Sequence, residues 1–477
     1  MAEQRGGGLL RMGVTSGRAT FLELFFDLVF VFALTRVSQR LIRDLPATGR
    51  ALAAGVGKTL LLFLALWLVW TITTWLTSRY EPERTAIQVV VVGSMFGSLV
   101  MGVALPRALE ERALPFALAY VSVMVLRPLV VVFALRGHPR RTVPLRLAAW
   151  AAVTALPWLL GALGPAGLRV PLWTVALALD YVGLLTGWPL PRLGAAAARG
   201  WRIAGEHLAE RYQQIFLISL GESILVIGVT YSGKPFSGES AGAFVVSFGT
   251  VALLWRIYFH RAGHLLPAAL RLAPYPGRLG ASAALTHLFI VLGVLATAVG
   301  YELVIVDPYG REAGWLLFVV GGPALFLAAR ARFEYEIFAR ISSSRVVGTV
   351  LLVLLAPLLA RAAPVLALTV VAGVLALVAG LDALRSRGRP VEEPASPIGR
   401  ERRPRGRRLS GRLRRRWGGT ARRAPGARRP ARPSPSRPDR RGRPRSTAAS
   451  GWSRRCRAPR RPPGPVRRSP AAGVPSG

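Results

Sequence analysis

The sequence predicts an all-α fold, a polytopic transmembrane helix bundle of about 12 spans. Three observations predict it. The 477-residue chain is 52% hydrophobic with a positive mean hydropathy. Its apolar residues fall in blocks of roughly 17–25, the length that crosses a bilayer as a helix. Its basic residues alternate between successive connections, as they do in multi-pass proteins. The single cysteine, Cys456, excludes a disulfide framework and a Cys-rich metal site. Neither a metal nor a cofactor is expected.

Taken in order, residues 1–20 form an N-terminal segment without the apolar core of a signal peptide, so the first span is expected to serve as an uncleaved insertion signal. The spans follow at about 21–39, 59–77, 86–105, 113–135, 147–163, 170–187, 211–229, 240–259, 282–303, 313–329, 346–360 and 363–381. Most connections are short. The longest, 188–210, contains "GAAAARGWRIAGEHLAER" and suits an interfacial helix. With the N-terminus inside, 19 Lys and Arg residues fall in inner connections and 10 in outer ones. Both termini are therefore placed in the cytoplasm.

The net charge of +40 is uneven. From Arg385 onward there are 30 basic and 4 acidic residues. Residues 385–477 are read as a cytoplasmic Arg/Pro-rich tail, disordered from about 388, because it lacks the apolar surface that offsets chain entropy. Its charge suits anionic lipid headgroups. No base-reading module accompanies it, which argues against specific nucleic-acid binding. An unselected read-through tail has the same composition.

A charge at the centre of a span costs about 2.5–3.5 kcal/mol on insertion scales, so each needs a reason. In "FLELFFDLVFVFALTRV", Glu23 and Asp27 lie one helical turn apart on one face. Glu23 is read as shallow, and Asp27 as either a functional acid or the partner of an arginine on another helix. In "HLAERYQQIFLISLGESILVIG", His207, Glu210 and Arg211 mark the inner end, with Glu210 and Arg211 expected to face water or headgroups. Glu222 is mid-span, between Gly221, expected to admit a close helix neighbour, and Ser223. Arg127 before a kinking Pro128, Asp180, Arg256 and His287 complete the set. Arg127 and Arg256 are the expected counter-charges, and His287 reads either as a packed core histidine or as a ligand. Phe25 and Phe26 read as packing residues.

"FLELFFDLVFVFA" aligns without gaps on "FLISLGESILVIG", Asp27 falling on Glu222. The alignment suggests two parallel six-helix repeats, 21–187 and 211–384, with the two carboxylates lining one polar cavity at their interface.

The stretches "ELFFDLVFVFALTRVSQRL" and "HLAERYQQIFLISLGESILVIG" resemble the two signatures of the bacterial low temperature requirement A (LtrA) family, with support from "LLWRIYFH", "ALTHLFIVLGV" and Glu302. The resemblance covers residues 18–384. Its motif positions here are Glu23, Phe25, Phe26, Asp27, His207, Glu210, Arg211, Gly221, Glu222 and Ser223. It implies a polytopic protein of the bacterial membrane and a link to growth in the cold, and brings no reaction with it. Four readings stay open: transport of a small polar solute or ion using Asp27 and Glu222, with or without proton coupling; a non-transporting membrane stress protein; a passive channel; and a membrane enzyme. The last lacks a nucleophile–base–orienter set and an HExxH motif in the sequence.

Overall fold

The computed structural model describes residues 9, 18–43, 49–191, 194, 204–235, 238–310, 314–388, 390 and 392–398. The regular elements of the described residues are helices, joined by turns and irregular stretches, with isolated bridge residues that include the pair Leu190 and Gly194. In chain order the helices are α1 Phe21–Arg43, α2 Gly49–Thr77, α3 Thr85–Ala104, α4 Ala113–Ala134, α5 Thr142–Leu163, α6 Ala166–Thr186, α7 Gly205–Ser232, α8 Gly238–Tyr258, α9 His264–Leu272, α10 Pro276–Val306, α11 Gly322–Phe338, α12 Ser343–Leu359 and α13 Pro364–Ser386. Each predicted apolar run overlaps one of these, the run 313–329 only from Gly322 onward, and α9 is a short addition.

Nine helices among the described residues are long and apolar enough to cross a membrane. The expectation of about 12 spans is thus met in part. The three other predicted spans fall short for physical reasons. Helix α1 carries Glu23, Asp27, Arg36, Arg40 and Arg43; α11 carries Arg330, Arg332, Glu334 and Glu336; and α12 has 17 residues. Residues 192–193 and 195–203 of the 188–210 link lie outside the described residues, as do 1–8, 10–17 and 399–477 of the two terminal segments.

Helix α1 packs on α2 and α3, α2 on α3 and α6, and α3 through α6 form a chain of neighbours. In the second half α7 packs on α8 and α10, α8 on α10 and α13, and α10 through α13 form the corresponding chain. The halves meet where α1 lies against α7 and α10. Helix α10 is the most enclosed, with His287, Leu295, Ala298 and Tyr301 all buried.

The tightest helix contact is α10 against α11. A Cβ on Gly293 would stand 2.8 Å from Phe326 N and 3.0 Å from Gly322 O, both backbone atoms that cannot swing aside. Helices touch this closely only through small residues. Gly293→Ala is expected to destabilise the protein by about 1–3 kcal/mol, as overpacking does. Gly221 differs from the sequence expectation. A Cβ there meets nothing within 4 Å, so it admits no close neighbour. Gly221→Ala should stay within about 0.5 kcal/mol of the parent, as open sites do. Detergent unfolding midpoints of the two variants check the pair.

Beyond Tyr258, a π turn, Phe259–Gly263, breaks the helix. Arg261 there has φ +55° and ψ −81°, a conformation that costs on the order of 1–3 kcal/mol for a non-glycine residue. The buried Arg330 holds the break open. Its Nε donates to Ile257 O (3.2 Å), and its Nη2 donates to Tyr258 O (3.2 Å) and His260 O (2.7 Å).

Candidate functional site

Helix α1 begins with the carboxylate half of a capping box. Thr20 N donates to Glu23 Oε2 at 2.9 Å, and the Thr20 hydroxyl donates to the same oxygen at 3.0 Å. That fixes Glu23 at the entrance of the α1/α7 seam. It is buried, and His207 Nε2 lies 3.0 Å from its Oε2. Ser78 on the α2 side holds the other ring nitrogen of His207 at 3.0 Å.

One turn further, Asp27 meets Arg211. The guanidinium donates twice, Nη1 to Oδ2 and Nη2 to Oδ1, each at 2.7 Å. Trp70 Nε1 donates to Oδ1 at 3.1 Å. Both charges are buried. Arg211, expected to face water or headgroups, is buried; the alternative in which Asp27 pairs with an arginine on another helix is the one seen, the partner being Arg211 and not Arg127 or Arg256. Two acids one turn apart are tolerated because His207 and Arg211, also one turn apart, face them. Forked pairing in a dry setting is the geometry that offsets desolvation. Glu210, beside them, accepts from Ala19 N at 2.8 Å.

Further along the same seam the Thr35 hydroxyl donates to Glu222 Oε2 at 2.5 Å. Glu222 is fully buried, and among the described residues its Oε1 has no hydrogen-bond partner. Thr35 is eight residues beyond Asp27 on α1, about 12 Å at 1.5 Å per residue. Asp27 and Glu222 therefore occupy successive levels of one seam rather than equivalent positions in one cavity. Ser223 turns inward and donates to Ser219 O at 3.2 Å.

The remaining predicted residues are apart from this seam. Asp180 on α6 accepts from Tyr120 on α4 at 2.7 Å. Arg127 donates to Thr73 Oγ1 at 3.0 Å and Val69 O at 3.4 Å. Arg256 pairs with His260 at 3.0 Å. His287 Nδ1 donates to Ala283 O at 2.7 Å, which leaves Nε2 to accept from Tyr258 at 2.8 Å, and Tyr212 stacks on the ring. It is a satisfied core histidine. Phe26 packs in the core, whereas Phe25 is exposed.

Sequence reading missed a second polar cluster where α11, α12 and α13 meet. Arg345 bridges Glu334 (2.6 Å) and Asp382 (2.8 Å), and Ser344 donates to Asp382 at 2.7 Å. A cavity of about 630 Å³ opens beside it, lined in part by Arg261, Arg340, Arg345, Arg385 and Glu392. Residues 392–398 differ from the expected disorder. Ala395 N donates to Ile337 O at 2.9 Å, and Arg340 forks onto Glu392, Nε to Oε1 at 2.9 Å and Nη2 to Oε2. That hydrogen bond holds the Glu392 carboxyl below its usual range.

The family described as Bacterial low temperature requirement A protein (LtrA) matches residues 18–380. An uncharacterized protein of Rhizobium meliloti (strain 1021) is 36% identical over 340 residues, covering 69% of this chain and 80% of the relative. No solved structure matches.

Proposed function

The chain belongs to the bacterial low temperature requirement A family, and from that premise we propose that it is a multi-pass protein of the bacterial cytoplasmic membrane that moves an ion or small polar solute along the α1/α7 seam in exchange with protons. The observation that carries the reading is Glu222. It is a carboxyl deep in a membrane helix, with one oxygen held by Thr35 and the other without a partner among the described residues. An intramembrane acid without a neutralising base is a functional candidate by default. Asp27, which the sequence offered for the same role, is instead the clasp that joins the halves.

The finer topology is part of the proposal: 12 crossings, both termini cytoplasmic, two parallel six-helix halves. The recurring neighbour pattern supports it, α1, α2, α3, α4, α5 and α6 corresponding to α7, α8, α10, α11, α12 and α13. The three rungs Glu23–His207, Asp27–Arg211 and Thr35–Glu222 climb α1 and α7 in the same direction, which fits parallel halves. A second reading, a non-transporting membrane stress protein, draws on the dry Asp27–Arg211 pair, which needs no passage.

Proteoliposomes carrying a pH-reporting dye separate the two. Under the transport reading the parent dissipates an imposed proton gradient, and Glu222→Gln, melting at the parental temperature, does so at least tenfold more slowly. Equal rates for parent, variant and protein-free vesicles overturn the proton-exchange reading.

A further inference from the structure

The cavity beside the Arg345 cluster lies outside the seam and is not used by the transport reading. We infer that it is a binding site for a phosphate-bearing anion, either free phosphate or a lipid headgroup, and that the Glu392 carboxylate is an internal competitor for it. Four arginines and three carboxylates line the cavity. Arg345 is consumed by Glu334 and Asp382. Arg340, Arg261 and Arg385 remain facing the space. Glu392 reaches the first as a fork and the second at 3.6 Å. Arg385 donates to Ser343 at 2.8 Å, with no carboxylate in ion-pair range among the described residues.

Glu392 thus answers two of the three guanidinium groups, the first of which also stands 3.4 Å from Glu334. A phosphate has the additional oxygens to answer the third, and the fork that Arg340 offers to a carboxylate suits a phosphate equally. The volume is that of a small-molecule site. The backbone supplies the independent observation. Arg261 reaches the cavity from a left-handed φ that Arg330 maintains through three carbonyls. Such an outlier points to a constrained site. Glu392 arrives on the segment that follows α13, so it competes at the high effective concentration of a tethered group.

The test uses the full-length chain in phosphatidylcholine nanodiscs, titrated with inorganic phosphate by calorimetry, and the same protein purified from mixed phosphatidylglycerol and phosphatidylcholine micelles and read by native mass spectrometry. Removing the competitor with Glu392→Gln should tighten phosphate binding at least tenfold, or enrich retained phosphatidylglycerol at least tenfold. The first result assigns free phosphate, the second a headgroup. In either arm Glu392→Gln/Arg340→Ala should return binding to the parental level or below while melting with the single variant. The proposal is overturned if Glu392→Gln gains neither ligand, or if the double variant keeps the gain.

Discussion

Arg211→Ala is expected to destabilise the protein by about 3–5 kcal/mol, the usual consequence of stripping a buried charge of its partner. The guanidinium makes both forked bonds to Asp27 and donates from the same Nη1 to Glu23 O and Gln214 Oε1, each at 3.0 Å. Without it, Asp27 keeps one indole hydrogen bond from Trp70. Equilibrium unfolding in mixed micelles measures the loss. Arg211→Lys should recover part of it, because an ammonium replaces the charge but not the fork.

The double variant Asp27→Leu/Arg211→Met decides what the pair is for. Swapping a buried ion pair for apolar groups of similar volume is often neutral or stabilising, so the double variant should return to within about 1 kcal/mol of the parent, giving a large coupling energy. If it also keeps its proton flux, the pair is a clasp and Glu222 alone carries the transport reading. A stable double variant without flux would return Asp27 to the pathway.

Helix existence was legible because runs of 17 or more apolar residues admit few alternatives in a bilayer. Charge partners were harder to read. Depth along each span was judged from the apolar run, yet the helices continue beyond it. Helix α11 reaches Phe338, and α7 starts at Gly205. Residues assigned to loops, such as Arg330 and Arg345, and Arg211, placed at the very end of its span, are therefore buried within the bundle. A signal for the clasp was present all the same. Glu23 and Asp27 are four apart, and so are His207 and Arg211. Matched acid and base pairs at helical spacing predict two facing helices in register. The Glu334–Arg345–Asp382 bridge carried no such signal, because its members come from three helices at unrelated spacing. The aligned pair Asp27 and Glu222 misled for a related reason: similarity between apolar helices fixes identity of face poorly and height in the membrane not at all.

That bridge yields the second large effect. Arg345→Met should leave Glu334 and Asp382 buried without the cation between them. Two stranded carboxylates this close repel each other, and the loss is expected in the range of about 3–5 kcal/mol for a broken buried pair. Partial relief is available on each side. Arg340 stands 3.4 Å from Glu334, and Ser344 still donates to Asp382. Relief by Arg340 draws it from Glu392, so the variant should also loosen the segment after α13, raising hydrogen exchange at Ala395, whose amide is bonded to Ile337 O. Ser344→Ala is the companion, with an expected loss of about 1 kcal/mol, one hydrogen bond to a group still paired. Arg345→Met unfolding within about 1 kcal/mol of the parent, with unchanged exchange at Ala395, would mean that α11, α12 and α13 are held by apolar packing alone and that the network merely fills the space between them.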